Sequence, residues 1–263
     1  MGFVERVGHT ASALDLSGKA TIAAAQPSSL VSQKYTMAST QGIIDILGSQ
    51  GWLPVGYNEK KARRVENSGK QLHTVVLSNS QFDGGSTLPR IVVKNSHDGG
   101  SSLQLLSGVF ERICANGLVV GNSAADVRIR HLSLTEEKII EGLKVCIDSL
   151  SKAFEVTEKM KGIRLDKAQQ LEFAQDVVEM AWNGSQYSIL PGQLLWNHRR
   201  DQSEPTLWNT FNTVQEHVIR GGVRQQRADG SRISSRAVKS IDRSIELNRS
   251  MWDIAERRMA VWT

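Results

Sequence analysis

Cysteine is scarce in this chain: Cys114 and Cys146 are the two thiols in 263 residues. Both sit in apolar helical patterns, so neither a disulfide framework nor a structural metal site is expected, only reduced core residues. No apolar run approaches the roughly 20 residues that a bilayer crossing needs. The N-terminus lacks a signal-peptide apolar region, and Arg6 stands where a myristoylation signal wants Ser or Thr. The expectation is a cytoplasmic protein with no membrane partner.

A phosphate-cradling loop is missing as well. Gly18-Lys19 and Gly69-Lys70 lack the upstream glycine and the Ser or Thr of a nucleotide-binding loop, and no Gly-rich dinucleotide fingerprint follows a strand. The six histidines are scattered, with no pair at helical ligand spacing and no Cys-rich knuckle. These absences argue against ATP-driven and redox-cofactor chemistry, and no catalytic constellation assembles. A non-enzyme without cofactor or metal is expected. Glu59-Lys60 with Asp45 is the nearest approach to a nuclease centre, and a charged, exposed strand explains those residues better. His97-Asp98 could do acid-base or metal work. It lies inside Asn95-Ser96-His97-Asp98-Gly99-Gly100, however, where side-chain-to-backbone bonds of a tight turn account for it.

What is present is positive charge, unevenly placed. The net charge is +5. Residues 58–70 carry five cations (Lys60, Lys61, Arg63, Arg64, Lys70) against Glu59 and Glu66. Residues 217–243 carry seven (Arg220, Arg224, Arg227, Arg232, Arg236, Lys239, Arg243) against Asp229 and Asp242. Residues 135–164 balance, with six of each sign. Clustering of this kind is the footprint of a polyanionic partner.

Periodicity divides the chain. Residues 1–38 mix Ser, Ala, Gly and Thr with little pattern and are expected as a flexible arm, poorly ordered or ordered only on assembly. A helix capped near Ser39-Thr40 carries Ile43, Ile44, Ile46 and Leu47 and ends at Gly48 or Gly51. Trp52 then opens a long extended run, WLPVGYNEKKARRV, which pairs with residues 71–77 through the turn Glu66-Asn67-Ser68-Gly69. A third strand starts at Arg90. Leu103, Leu106, Val109, Phe110 and Ile113 recur at helical spacing, and Asn116-Gly117 precedes strand-like runs at 118–120 and 127–129. Arg128 and Arg130 alternate with Val127 and Ile129, which would put two cations on one strand face. From Thr135 the pattern is helical: 135–154 and beyond to a break at Gly162, then 166–182, 205–219 and 235–259. Gly221-Gly222 stops the third of these, and a basic loop or hairpin follows. There is no internal repeat.

The fold class is therefore α+β: an N-terminal helix, an antiparallel β-meander and a helix, then a mostly helical C-terminal half. The divisions are an arm over 1–38, an α+β core over 39–134 and a helical region packed on that core over 135–263. Trp182, Trp196, Trp208 and Trp252 fall in apolar helical patterns and are expected in the core, and Trp52 anchors the first helix to the sheet. Tyr57 is either a half-buried sheet residue or a platform for base stacking beside Lys60, Lys61, Arg63 and Arg64. Those four cations form either a solvated edge that resists aggregation or a phosphate groove.

Two stretches carry family resemblances. Residues 90–131, with NSHDGGSS and ICANGLVV, together with TLWNTFNTVQEHVIRGG and RAVKSIDRSIELNRSMWDIAE, resemble a phage/plasmid-like family of unknown function, from about residue 40 onward. That likeness implies a mobile-element context in a bacterial host cytoplasm. Residues 39–115, through a helix ending in Gly48-x-x-Gly51-Trp52 and leading into basic strands, resemble the start of Rad-fifty-two-type single-strand annealing proteins. That likeness implies a ring or filament of identical subunits holding single-stranded DNA by its backbone, with Lys60, Lys61, Arg63, Arg64, Arg90 and Lys94 on phosphates. The long helical second half has no counterpart there. The function expected is ATP-independent single-stranded DNA binding and annealing in recombination or repair, with Arg128, Arg130, Arg224 and Arg227 as further DNA contacts. The alternative is a non-enzymatic interaction protein that docks on a host or phage protein and inhibits a host defence or regulatory complex.

Overall fold

The computed structural model describes residues 13–82, 87–111, 125–183, 186–196, 204–227 and 229–262. They fall into two compact units, one up to Lys152 and one from Ala153 onward. The division lies inside a long helix rather than near residue 135, so the first part of that helix belongs with the sheet.

In the sheet unit, α1 (Thr40–Gly48) leads into five antiparallel strands: β1 (Leu53–Glu59), β2 (His73–Ser78), β3 (Thr87–Asn95), β4 (Leu103–Glu111) and β5 (Asp126–Ile129). Each pairs with its neighbour in sequence, giving the order β1-β2-β3-β4-β5. The expected α+β class and meander are both present. Ser39 caps α1 by accepting the Gly42 N–H at 3.2 Å. At the other end Gly51 takes φ +84°, and an added Cβ there would meet the Asn79 side chain at 3.2 Å. Trp52 follows, 1% exposed, so the Gly-x-x-Gly-Trp motif serves here to end the helix and seat an indole in the core.

Register decides which side chains are interior. Tyr57, Val75, Val93, Leu105 and Val127 pair across successive strands, so they share one face. That face buries Val75, Leu77, Ile91, Val93, Leu103 and Leu105 against Ile43 and Leu47 of α1 and against Leu143, Cys146 and Leu150 of α2 (Glu136–Gly162). Each such side chain contributes roughly 1.5–3 kcal/mol when removed from water. One residue along, Asn58, Thr74, Lys94, Gln104 and Arg128 pair across the opposite face. There Val76, Val92 and Leu106 are buried too.

Burial on both faces explains one departure from the sequence reading. Residues 103–111 form β4, not a helix. A strand covered on both sides needs apolar residues at nearly every position, and LQLLSGVF then mimics helical spacing. The stretch around Ile113 and Cys114 and the run 118–120 lie outside the described residues.

The N-terminal segment also departs from expectation. From residue 13 to 38 it has neither helix nor strand, yet Leu16, Ile22 and Ala38 belong to the core. Its backbone is bonded at intervals: Leu14 N–H to Pro54 O (2.7 Å), Ser28 N–H to His97 O (2.8 Å) and Thr36 N–H to His131 O (2.8 Å). It is a strap held by long-range bonds, which no local pattern announces.

The helical unit contains the rest of α2, then α3 (Lys167–Trp182), α4 (Leu207–Arg220) and α5 (Ile241–Trp262). Short strands β6 (Tyr187–Ser188), β7 (Arg224–Arg227) and β8 (Arg232–Ser234) form a second sheet in that order. Asp166 and Gln169 close a reciprocal capping box on α3, with bonds of 2.8 and 2.9 Å. Thr206 caps α4 through the Asn209 N–H at 3.1 Å. The core of this unit is aromatic. Trp208 stacks on Phe211 with centroids 5.8 Å apart, and Trp252 meets both edge-on, at 6.4 and 6.0 Å.

Candidate nucleic-acid interface

The loop from β1 to β2 carries the first cation cluster. β1 ends at Glu59, so the expected extended run through Val65 is not formed. Lys60, Lys61, Arg63 and Arg64 are all exposed in that loop, ahead of a 3-10 turn at Val65–Asn67. The far half of the loop is tied to the strap. Ser28 Oγ donates to Asn67 Oδ1 at 2.8 Å, the Lys70 ammonium donates to the Gln26 carbonyl, and Gly69 sits with φ +71° against Ala20. With one half anchored, the cation-bearing half stays at the surface.

Other predicted site residues go elsewhere. Arg90 is 2% exposed, and its guanidinium donates to Ser78 Oγ and to the Pro89 carbonyl. Lys94 is 8% exposed and donates to Gln104 Oε1 at 3.2 Å, while Gln104 Nε2 donates to Asp126 Oδ1 at 2.5 Å. Even-numbered positions of β3 face the second, covered side of the sheet, so these two cations are interior groups held by polar partners. Arg128 is exposed and ion-paired with Asp126 at 3.3 Å. Arg130 is exposed but stands one residue past the end of β5, so the two do not share a strand face. Strand order places β5 and β1 at opposite edges, about 19 Å apart for four strand spacings. Arg128 is therefore not part of the 60–64 cluster.

Tyr57 is not a free platform. Its hydroxyl bonds Thr21 Oγ1 at 2.6 Å and donates to Glu59 Oε2 at 2.7 Å, and the Lys19 ammonium sits 5.1 Å over its ring. Burial pushes the hydroxyl's pKa up. This is the half-buried sheet residue of the two alternatives.

The second cluster lies in the helical unit. In β7 and β8, Arg224 pairs with Ser234 and Gln226 with Arg232, so Arg224, Gln226 and Arg232 share one face. Gln225, Ile233 and Arg227 share the other. Arg224 and Arg227, joined in expectation, thus serve opposite sides of the hairpin. Trp196, expected in the core, is 69% exposed beside the Arg224 face. The run Pro-Gly-Gln-Leu-Leu-Trp reads as apolar helix, but it forms a 3-10 turn, Pro191–Leu195, that buries Leu194 and leaves the next residue outside.

Sequence reasoning missed a group of buried histidines. His73 and His97 are fully buried, with ring centroids 5.1 Å apart, and His131 is 6% exposed. His73 Nδ1 lies 2.9 Å from the Gln71 carbonyl, which can only accept, so Nδ1 carries the proton. Its Nε2 then accepts from the Thr40 hydroxyl at 2.8 Å, and Thr40 accepts from Asn95 Nδ2 at 2.9 Å. By the same logic His97 Nε2 donates to the Thr21 carbonyl at 2.9 Å and His131 Nδ1 to the Thr36 carbonyl at 3.1 Å. Burial lowers the pKa of all three, that of His97 to about 4. His97 and His131 are neutral pins that hold the strap, and His73 ties β2 to α1. The Asp98 carboxylate meanwhile accepts the Gly100 N–H at 2.9 Å, as a turn residue does. Cys146 is a buried thiol pushed up to about 12 by burial. Among the described residues no three His, Cys, Asp or Glu side chains are grouped to hold a metal, and no helix is long and apolar enough to cross a membrane.

Fold and surface together define an α+β chain of two units, each presenting an exposed cationic segment. The chain belongs to the family described as a domain of unknown function (DUF932), whose model matches residues 27–252. It is similar to the UPF0380 protein YafZ of Escherichia coli (strain K12), 31% identical over 228 residues, covering 86% of this chain and 82% of that protein. It is also similar to the UPF0380 protein YfjQ of the same strain, 30% identical over 225 residues with the same coverages. No solved structure matches the chain.

Proposed function

We propose that this protein binds single-stranded DNA through its phosphate backbone and promotes annealing of complementary strands in recombination or repair, without ATP. The observation that carries this reading is the 60–64 loop: four cations in five residues, all exposed, on a loop whose other half is anchored to the strap. Sequence-independent phosphate neutralisation is what such a segment supplies, and it lowers repulsion between two incoming strands while leaving their bases free to pair. The Gly48-x-x-Gly51-Trp52 motif after α1, by which the chain resembles annealing proteins, favours the same reading. Assembly of several copies into a ring or filament belongs to this proposal, because annealing needs more than one short segment of strand held at a time. Mixing two complementary oligonucleotides with the protein, free of nucleotide and metal, tests it. Duplex formation faster than in protein-free controls is expected. An unchanged rate, with stoichiometric capture of one host protein instead, would favour the interaction-protein reading.

A further inference from the structure

Beside the β7–β8 hairpin lies a groove of about 710 Å³, within the range of about 300–1,000 Å³ usual for ligand sites. Its floor is the hairpin face that carries Arg224, Gln226 and Arg232. Gln193 and Trp196 of the 3-10 turn segment and His217 near the end of α4 line it as well. Four features fix this geometry. His217 Nε2 donates to the Trp196 carbonyl at 2.9 Å, and the Arg224 N–H donates to Gln193 Oε1 at 3.2 Å. Leu194, fully buried, anchors the turn just before Trp196. Gly221, with φ +73°, has no room for a Cβ, which would fall 2.6 Å from the Arg236 carbonyl carbon, and this tight passage directs the chain from α4 into β7.

The backbone of Trp196 is thus pinned while its side chain stays at the surface, 69% exposed. Arg224 and Arg232 line the same groove from one strand face, so aromatic and cationic surface lie together there. We propose that this groove is a single-strand site in which one unstacked base lies on the Trp196 ring while Arg224 and Arg232 take the flanking phosphates. Charge and aromatic surface together select the ligand. Two guanidiniums on one strand face suit a polyanion, and a flat ring beside them suits a base whose face is free. Duplex DNA keeps its base faces stacked on one another, so the site discriminates for single strands. This inference rests on the DNA-binding reading and adds a second kind of contact to it: the 60–64 loop meets only the backbone, whereas the groove meets a base.

Two oligonucleotides of equal length distinguish the parts, a thymidine homopolymer and an abasic version with the same phosphates. The full chain is titrated with each, as wild type, Trp196→Ala, Trp196→Phe and Arg224→Ala/Arg232→Ala. The Trp196→Ala variant is expected to bind the thymidine strand about tenfold more weakly, as loss of one stacked base would give, and the abasic strand as wild type does. Trp196→Phe keeps most of the affinity. The double arginine variant loses salt dependence on both strands, by about 0.7 per cation in the logarithmic slope. Unchanged thymidine binding by Trp196→Ala, or an equal loss on both strands, would overturn the groove assignment while leaving the DNA-binding reading intact. Wild-type protein that binds neither strand at low salt would overturn both.

Discussion

The sheet strands of one unit and the hairpin of the other place the same residue types in opposite situations. In the strands and the turns that follow them, arginine, lysine and histidine are drawn inward: Arg90, Lys94, His73 and His97 are all buried and bonded, while Lys60, Lys61, Arg63 and Arg64 of the same unit stay out on a loop. In the helical unit, arginines ride on a thin hairpin and stay exposed, while the interior is filled by Trp208, Phe211 and Trp252. A count of cations along the sequence cannot tell these cases apart. What separates them is the parity of a residue within a strand and whether both faces of that strand are covered. A cationic sequence becomes a cationic surface only where register allows it.

The largest test of this contrast is at the aromatic core. Trp208→Ala should destabilise the helical unit by about 3–5 kcal/mol, the usual cost of emptying such a site. Urea unfolding monitored by near-ultraviolet dichroism reads it out, and a shift below about 1 kcal/mol would mean that the stacked cluster does not hold that unit together.

Acid comes next and acts on the sheet unit. Burial lowers the His97 pKa to about 4 from an unfolded value near 6.5, with His73 and His131 lowered as well. Between those pH values the unfolded chain binds more protons than the folded one, so stability is full above about pH 6.5 and falls as pH drops toward 4. His97 alone accounts for a loss on the order of 3 kcal/mol. Unfolding midpoints from pH 7 to pH 4 should show this slope, and His97→Gln should make it shallower. A flat profile would contradict the neutral-pin assignment.

Backbone geometry gives a smaller effect. Gly221→Ala places a methyl against backbone at a positive φ, which should cost more than about 1 kcal/mol. A thermal melt that leaves Gly221→Ala within error of wild type would argue against the tight passage into β7. Smallest of all on stability are Lys61→Ala and Arg63→Ala, expected within about 0.5 kcal/mol of wild type because both residues are exposed. Their effect should appear in DNA binding instead, and a marked loss of stability would place that loop in the fold rather than at its surface.

Much of this architecture was legible in the residues. The first helix with its cap at Ser39 and its glycine stop, the helix over 166–182 and the Gly221-Gly222 break are local signals, and each lies where local rules put it. β4 was misread because burial on both faces erases the period of two. The 13–38 strap was misread because its order comes from partners 40 to 100 residues away, such as Pro54, His97 and His131. Arg90 and Lys94 were placed on the surface because nothing in the sequence states which face of β3 is covered. Trp196 was placed in the core because an apolar run ahead of a tryptophan looks the same whether the last residue turns in or out.

The central claim is that exposed cations at 60–64 hold a nucleic-acid backbone, and the most direct measurement is single-stranded oligonucleotide affinity over a salt series, for wild type and for the variant with Lys60, Lys61, Arg63 and Arg64 all changed to Ala. The account predicts a linear fall of log affinity with log salt for the wild type, and a slope shallower by about 0.7 for each cation removed in the variant. Identical slopes for the two proteins, or no binding by the wild type at low salt, would contradict it.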